Sequence, residues 1–275
     1  MSASHHRPRK RFGQHFLVDR GVIGAIVALV KPAKGEVVVE VGPGRGALTN
    51  ALVSALDRLV AVEIDRDLVA FLRERLGQTG LRLVEGDILK IDLGALLREE
   101  GGERLLVVGN LPYNITAPLL FHFLRQADHI DRAVIMVQRE VARRLVAKPG
   151  SKDYSLLSVL MAMRAEVELR LEVGRRSFRP VPGVDSAVVE LRFATGPRFA
   201  VEDAACFDRL VRRAFGQRRK MLRNSLLSLY PGAGRPWLEA LEQRAGIALT
   251  RRPEELSIEE FVRLSDACGE VGGMP

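Results

Sequence analysis

The sequence predicts an α/β fold with a mostly parallel sheet, followed by a small helical domain. In the first half of the chain, short apolar runs rich in β-branched residues alternate with helical segments, which is typical of right-handed βαβ units. Beyond residue 196 the apolar spacing is that of helices alone. The chain has 275 residues, of which 47% are hydrophobic, so it can form a large and a small domain, each with a core.

Five strands are predicted in the first half of the chain, each a short apolar run. Their ranges are 36–41, 59–63, 81–85, 105–109 and 133–137. Helices are predicted around these strands at 19–30, 48–56, 67–76, 93–97, 118–124 and 140–146. Asp19 is suited to cap the first helix, because its side chain can accept hydrogen bonds from the first turn. Pro32 ends that helix.

The pattern changes after another predicted helix at 155–165. Two further strands, 167–173 and 187–193, are separated only by a loop rich in proline and glycine. We therefore expect them to be antiparallel neighbours at one end of a seven-stranded sheet. Thr195-Gly196-Pro197 indicates a domain boundary, and helices are predicted after it at 204–215, 219–229, 237–245 and 258–267. The predicted domains are a basic N-terminal arm (1–18), an α/β domain (19–195) and a helical domain (196–275).

Positive charge is concentrated at two places in the chain. The formal net charge is +8, which favours a polyanionic partner. One cluster lies in the N-terminal arm and the other in the predicted helical domain. The basic residues that we expect to bind phosphates are Arg9, Lys10, Arg11, Arg218, Arg219, Lys220 and Arg223. Contacts of this kind set orientation and salt dependence but carry little base-specific information.

The cysteines and the apolar segments exclude other classes of protein. Cys206 and Cys268 lie far apart and match no metal-binding spacing, so the sequence predicts no metal site and a reducing compartment. The apolar run at 22–30 is too short to span a bilayer, and no signal-peptide cleavage site follows it. We therefore expect a soluble, cytoplasmic monomer without a membrane association or an obligate protein partner.

The motif Asn110-Leu111-Pro112-Tyr113 follows the predicted strand at 105–109. In an open α/β sheet, ligands bind at the carboxyl ends of the strands. The motif places an amide, a backbone carbonyl and an aromatic ring there. Together these groups can hold a planar amine by hydrogen bonds to its NH₂ and by stacking on its ring. The arrangement suits methylation of an exocyclic amine on a nucleobase.

A glycine-rich turn follows the first predicted strand, at residues 40–47. Glycines at this turn let the backbone approach a ligand closely. Gly42, Gly44 and Ala47, with Glu63 at the end of the second strand, also satisfy the dinucleotide-binding pattern. A nicotinamide-dependent oxidoreductase is therefore an alternative at this point.

Three features favour a different cofactor. Glu40 places a carboxylate beside the glycines, which suits a ligand with amino and sulfonium positive charge. Asp87, at the end of the third strand, can accept a hydrogen bond from an adenine amino group. The motif at 110–113 has no role in hydride transfer. The combined set resembles the class I methyltransferases, which have a Rossmann-like sheet and use S-adenosylmethionine.

Five segments, taken in order, resemble the KsgA-type family of small-subunit ribosomal RNA adenine N6,N6-dimethyltransferases. The segments extend from the N-terminal arm into the helical domain, at residues 10–17, 40–46, 110–116, 178–186 and 218–226. The segments also resemble those of the erythromycin-resistance methylases of large-subunit RNA, but the segment at 218–226 is more similar to the small-subunit branch.

The resemblance implies a cofactor site and a methyl donor. The implied S-adenosylmethionine-binding residues are His15, Leu17, Gly42, Gly44, Glu63, Asp87 and Asn110. Among them, Glu63 would bind the ribose hydroxyls and Asp87 the adenine amino group, and the glycines would approach the amino-acid end.

The implied catalytic residues belong to two segments. We expect the Asn110 side-chain oxygen and the Leu111 carbonyl to accept hydrogen bonds from the adenine amine and aim its lone pair at the methyl group. Pro112 stiffens the turn. Tyr113 would stack on one face of the base, and Phe178 would supply the other face.

The resemblance therefore implies dimethylation of two adjacent adenines in the 3′-terminal hairpin of small-subunit (16S) ribosomal RNA. The expected partner is that RNA or the pre-30S particle, with a role in ribosome biogenesis. Two alternatives share the fold: a large-subunit rRNA adenine methylase of the macrolide-resistance type, and a non-catalytic RNA-binding assembly factor.

Overall fold

The structure is a computed structural model that describes residues 14–32, 35–56, 58–77, 79–230, 232 and 234–271. The described residues form two compact units. The first unit comprises residues up to Ala142 together with Glu166–Thr195. The second comprises Arg143–Ala165 together with the residues from Gly196 onward.

The domain boundary expected from the sequence differs from the division into two units. The expectation placed residues 143–165 with the sheet, whereas the structure places them in the second unit. Tyr154 packs edge-on against Phe215, with ring centroids 6.0 Å apart, and Phe215 contacts Phe261 at 5.8 Å. These aromatic contacts join the segment to the helices that follow Gly196. The roles given to the domains stay predictions.

Nine strands occur in the described part of the chain. They are β1 (Phe16–Leu17), β2 (Val37–Val41), β3 (Leu59–Glu63), β4 (Leu81–Glu85), β5 (Leu105–Asn110), β6 (Ile130–Gln138), β7 (Ala165–Val173), β8 (Phe178–Arg179) and β9 (Ser186–Phe193). Seven form one sheet in the order β4-β3-β2-β5-β6-β9-β7. Strands β2 to β6 are parallel where they pair, whereas β9 is antiparallel to β6. The mostly parallel, seven-stranded sheet predicted from the sequence is confirmed, with β7 at its edge.

The described part of the chain contains eleven α-helices. They are α1 (Arg20–Val30), α2 (Ala47–Val53), α3 (Arg66–Leu76), α4 (Leu93–Glu100), α5 (Thr116–Arg125), α6 (Arg139–Leu145), α7 (Leu156–Ala162), α8 (Ala204–Gly216), α9 (Leu222–Leu229), α10 (Arg235–Ala245) and α11 (Ile258–Glu270). Asp19 caps α1 as predicted, because its side chain accepts hydrogen bonds from the backbone N–H groups of Gly21 and Val22. Helix α9 begins three residues later than expected, after a tight turn in which Lys220 N–H donates to the Gln217 carbonyl at 2.7 Å.

The central strands are buried on both faces. Every residue of β2 and β3 is buried, which explains why their sequences are nearly continuous apolar runs rather than alternating ones. Val38, Leu106 and Val134, on neighbouring strands, are fully buried in one core cluster. Because β2 to β5 are parallel, their carboxyl ends meet at one edge of the sheet.

Strand β1 corrects the expected extent of the basic arm. Residues 1–13, with Arg9, Lys10 and Arg11, lie outside the described residues. Phe16 and Leu17 instead pair with Arg179 and Phe178 of β8 in a two-stranded antiparallel sheet. Leu17 is only 4% exposed and belongs to the core of the first unit. The end of the predicted arm is therefore part of the folded α/β unit.

Candidate active site

One cavity lies in the first unit, at the carboxyl ends of the central strands. It brings together ten of the residues predicted from the sequence, which are His15, Leu17, Gly42, Gly44, Glu63, Asp87, Asn110, Leu111, Pro112 and Tyr113. They come from four strand ends and from the segment around β1, so only the folded sheet makes them neighbours. The parallel topology explains this convergence, since each strand-end loop opens on the same edge.

The glycine-rich turn after β2 is held against the end of β3. Gly42 and Gly44 have φ angles of +65° and +58°, a left-handed conformation that glycine adopts most readily. A Cβ on Gly44 would lie 3.1 Å from the Phe16 ring. The Gly44 N–H donates to the Glu63 carboxylate at 3.1 Å. At these two glycines the turn therefore presents backbone to the cavity.

Two buried carboxylates line the cavity. Glu63 is 5% exposed and accepts hydrogen bonds from the backbone of Gly44 and Asp65, and burial raises the pKa of its carboxyl. Glu40 is 1% exposed, and its Oε2 atom makes no hydrogen bond within the described residues. Burial, with a contribution from the negative charge of Glu63, raises the pKa of Glu40 to about 7. A cationic group in the cavity would offset the cost of ionising it.

Asp87 lies at the far end of the cavity lining, after β4. Its Oδ1 accepts a hydrogen bond from Leu89 N–H at 3.0 Å and so caps the short 3₁₀ turn Ile88–Lys90. A carboxylate has two oxygens, so this cap leaves acceptor capacity for a ligand. Sequence reasoning missed Ile64, which lines the cavity beside Glu63 and is 46% exposed. Its position directly after the ribose-binding candidate was the available signal.

Asn110 presents an unpaired oxygen. Its Nδ2 donates to the His15 backbone carbonyl at 2.9 Å, which fixes the orientation of the amide. Its Oδ1 is buried and has no hydrogen-bond partner among the described residues. An unsatisfied buried acceptor is costly, so its place in a cavity lining marks a site for a donor group.

The rest of the motif is fixed by its neighbours. Leu111 is 1% exposed, and its N–H donates to the Met136 carbonyl at 3.0 Å. The Pro112 carbonyl accepts from Ile115 N–H at 3.1 Å and from the Thr116 hydroxyl at 3.0 Å. These bonds lead the motif directly into α5, so its geometry is tied to that helix.

Tyr113 is held by contacts at its hydroxyl and on one face of its ring. The hydroxyl forms a 2.6 Å hydrogen bond with Ser186, and burial raises the pKa of the phenol. The ring stacks on His15 with centroids 5.5 Å apart at an angle of 28°. His15 is itself anchored, because its Nδ1 donates to the Pro180 carbonyl at 2.8 Å. These contacts fix the position and orientation of the Tyr113 ring beside the cavity.

Phe178 is not where the sequence interpretation expected it. The ring is fully buried in the core cluster, and the residue pairs with Leu17 across the two-stranded sheet rather than lining the cavity. The expectation that Phe178 supplies a second face for the base is therefore corrected for this structure. Alternation along β8 explains it, since Phe178 faces the core and Arg179 is exposed.

The second basic cluster lies in the helical unit and divides into two groups. Arg218 donates to the Glu254 carboxylate at 2.5 Å and to the Lys152 carbonyl at 2.6 Å, so it is engaged within the unit. The other predicted phosphate-binding residues line a surface groove that also includes Arg252, which sequence reasoning missed. The basic residues of this groove are Arg219, Lys220, Arg223 and Arg252.

The described ranges contain neither a cluster of metal-ligating side chains nor a membrane-spanning helix. No group of three or more His, Cys, Asp or Glu side chains in them could hold a metal ion. No helix within the same ranges has both the length and the apolar character needed to cross a bilayer.

The sheet order and the cavity at its carboxyl edge define the class as a Rossmann-like methyltransferase fold. A solved structure of a dimethyladenosine transferase from Plasmodium falciparum superposes with a TM-score of 0.79 at 23% identity, covering 94% of this chain and 99% of that one. This likeness confirms the fold class.

The family follows from the sequence itself. The model of the family described as ribosomal RNA adenine dimethylase matches residues 5–269, and the chain belongs to this family. A ribosomal RNA small subunit methyltransferase A from Bordetella petrii is 47% identical over 272 residues, which is 99% of each chain. The 23S rRNA methyltransferase ErmE, a solved structure, is 30% identical with a TM-score of 0.68 and covers 92% of this chain and 98% of its own. The resemblance drawn from the motifs is confirmed.

Proposed function

We propose that this protein dimethylates the N6 amines of two adjacent adenines in the 3′-terminal hairpin of small-subunit (16S) ribosomal RNA, with S-adenosylmethionine as donor. The observation that carries the site assignment is the buried, unpaired Oδ1 of Asn110 in the cavity lining. A hydrogen-bond acceptor there suits the amine that has to be held for transfer.

The residues of the cavity fit the methyl donor. Glu40 suits its positively charged groups, because one buried oxygen of this carboxylate is unpaired. Glu63 suits its hydroxyl groups, because this carboxylate has remaining acceptor capacity. Asp87 suits the adenine amino group, and Ile64 offers an apolar surface for the ring. When bound, S-adenosylmethionine supplies a methyl group already activated by its sulfonium charge.

The chain's own task is then to position the amine. Asn110 Oδ1 and the Leu111 carbonyl accept its two N–H groups, which favours a pyramidal nitrogen with its lone pair directed at the donor. The amide cannot rotate freely, because Nδ2 is tied to the His15 carbonyl. Tyr113 stacks on the base with the ring face that His15 leaves open. The target base has to leave its stack, so a looped RNA is the expected substrate.

The protein binds the phosphates of the RNA through basic side chains. The groove with Arg219, Lys220 and Arg223 supports this role in the helical unit. We expect no phosphate contact from Arg218, since its guanidinium already pairs with Glu254. The basic arm at 1–13, which includes Arg9, Lys10 and Arg11, stays a proposal from the sequence.

The choice of ribosomal subunit is supported by the relatives. The identity is 47% to a protein named for the small subunit and 30% to a 23S rRNA methyltransferase. A pre-30S particle is therefore the proposed partner.

The test is to incubate the protein with S-adenosylmethionine and unmodified small or large subunits, and to map methylated nucleosides by mass. We expect two adjacent N6,N6-dimethyladenines near the 3′ end of the small-subunit RNA and none in the large subunit. Methylation confined to large-subunit RNA would support the macrolide-resistance alternative. Binding to small subunits without any methyl transfer would support the assembly factor.

A further inference from the structure

Helix α5 connects the two ends of the cavity. Its first residue, Thr116, donates to the Pro112 carbonyl of the amine-binding motif. Its C-terminal cap, Gln126, lies beside the loop that follows β4, whose first residues, including Asp87, line the cavity. One helix therefore contacts both the segment proposed to hold the amine and the segment proposed to hold the adenine of the donor.

The side chain of Gln126 makes three hydrogen bonds. Its Oε1 accepts from Leu93 N–H at 2.6 Å, and its Nε2 donates to the Ile91 carbonyl at 3.0 Å. Nε2 also lies 2.8 Å from Nε2 of His122, one turn earlier on the helix. An amide NH₂ can only donate, so the His122 nitrogen accepts and the ring proton is on Nδ1. Both N–H groups and the oxygen of Gln126 are therefore used.

His122 is in the neutral form that a hydrogen-bond acceptor at Nε2 requires. The side chain is 5% exposed, and burial, together with the charge of Arg125, lowers the pKa of its imidazole. The ring is therefore neutral near pH 7 and its Nε2 can accept. Through the side chain of Gln126, the network is bonded to Ile91 and Leu93, which follow the cavity-lining residues of the loop.

The loop itself is short and is fixed at both ends. Asp87 caps the turn Ile88–Lys90 through Leu89 N–H, and Ile91 N–H donates to the Ile88 carbonyl at 3.2 Å. The two anchor points of Gln126, at Ile91 and Leu93, follow directly. Displacing them would move the turn and with it the carboxylate of Asp87.

We propose that Gln126 is a positioning residue for the adenine end of the methyl donor, acting through the loop from Asp87 to Leu93. Gln126 is not part of the cavity lining, so it acts on the donor only by holding that loop. This inference rests on the proposed function, because it takes Asp87 as the group that recognises the adenine amine.

Two substitutions of Gln126 separate its bonds. Gln126→Leu removes all three, whereas Gln126→Glu keeps an acceptor for Leu93 N–H and loses the donors to Ile91 and His122. The binding probes are S-adenosylhomocysteine and its inosine analogue, which has a carbonyl in place of the adenine amine. Calorimetry measures both affinities without catalysis. Leu119→Ala is the matched control. Leu119 is fully buried on the same helix, but its side chain cannot form a hydrogen bond with the loop.

We expect Gln126→Leu to weaken S-adenosylhomocysteine binding by about tenfold, because it leaves the Leu93 N–H and the Ile91 carbonyl without their partner. Gln126→Glu should weaken binding less, because it keeps the acceptor for Leu93. The preference for the adenine ligand over the inosine ligand should shrink by a similar factor. The kcat at saturating donor and the KM for RNA should stay within about twofold, since the motif at 110–113 is unchanged. Leu119→Ala should lower the Tm without altering the ligand preference.

Three outcomes are distinguishable. An unchanged ligand preference in both Gln126 variants would overturn the inference, whether or not overall affinity falls. A fall in affinity for both ligands that matches the loss in Leu119→Ala would also overturn it, because it would show a purely structural role. Failure of the wild type to bind either ligand would instead contradict the proposed function.

Discussion

Replacing Glu40 with glutamine keeps the size of a cavity-lining side chain and removes its charge. Burial raises the pKa of this carboxyl from its ordinary value of 4.5 to about 7. Since each pKa unit corresponds to about 1.4 kcal/mol, ionising Glu40 costs the folded protein roughly 3 kcal/mol relative to the unfolded chain. The glutamine variant avoids this cost.

The sign of the pH dependence follows from proton binding. Between pH 4.5 and about 7 the folded protein holds the Glu40 proton and the unfolded chain does not, so this group lowers the free energy of unfolding as the pH rises. Without donor, Glu40→Gln should be more stable than the wild type by roughly 3 kcal/mol at pH 8, and the difference should shrink towards pH 4.5. Urea unfolding across this range measures it.

Donor binding should respond in the opposite direction. A cationic donor favours the ionised carboxylate, so Glu40→Gln should bind S-adenosylmethionine about tenfold more weakly at pH 8. Below pH 7 the wild-type affinity should fall by about tenfold in total and level off near that of the variant, because the protonated carboxyl binds the donor no better than glutamine does, while the affinity of the variant stays constant. Calorimetry measures both affinities, and Glu74→Gln, on the exposed face of α3, is the control. A variant that is no more stable at pH 8 and binds donor like the wild type would refute the reasoning.

Three further predictions concern the rest of the site. Gly44→Ala should lower stability by about 1 kcal/mol and weaken donor binding, because φ is +58° and a Cβ would meet the Phe16 ring; an unchanged urea midpoint and donor Kd would contradict this. Tyr113→Ala should reduce turnover at least about tenfold with donor affinity intact, whereas Tyr113→Phe should keep most activity; equal losses would argue against stacking. Arg223→Ala should reduce the slope of log Kobs against log salt concentration for RNA binding by about one. Arg218→Ala should leave this slope unchanged but lower the Tm. Equal slopes in the two variants would contradict the proposed phosphate-binding role of the groove.

Much of the sheet could be predicted because its signals are local. The apolar run at 105–109 corresponds to β5 (Leu105–Asn110), and the cap at Asp19 begins α1. Eight of the ten cavity residues lie at or directly after the carboxyl ends of parallel strands, so their place in the sequence predicts their place in space. His15 and Leu17 were expected only from the family resemblance.

The features that were missed depend on contacts between distant parts of the chain. Phe178 becomes a core residue only because β8 pairs with β1, more than 160 residues earlier. The engagement of Arg218 depends on Glu254, and the role inferred for Gln126 depends on a loop more than 30 residues away. None of these pairings leaves a periodic pattern, which explains why sequence reasoning did not identify them.

The amide of Asn110 is the centre of the account, and Asn110→Ala tests it most directly. The measurement is mass mapping of N6-methylated adenines in unmodified small subunits, with donor affinity determined calorimetrically on the same preparation. We predict that the variant produces no dimethyladenine while its donor affinity stays within a few-fold of the wild type, because Oδ1 is the proposed acceptor for the amine. Near wild-type methylation by the variant would contradict the account.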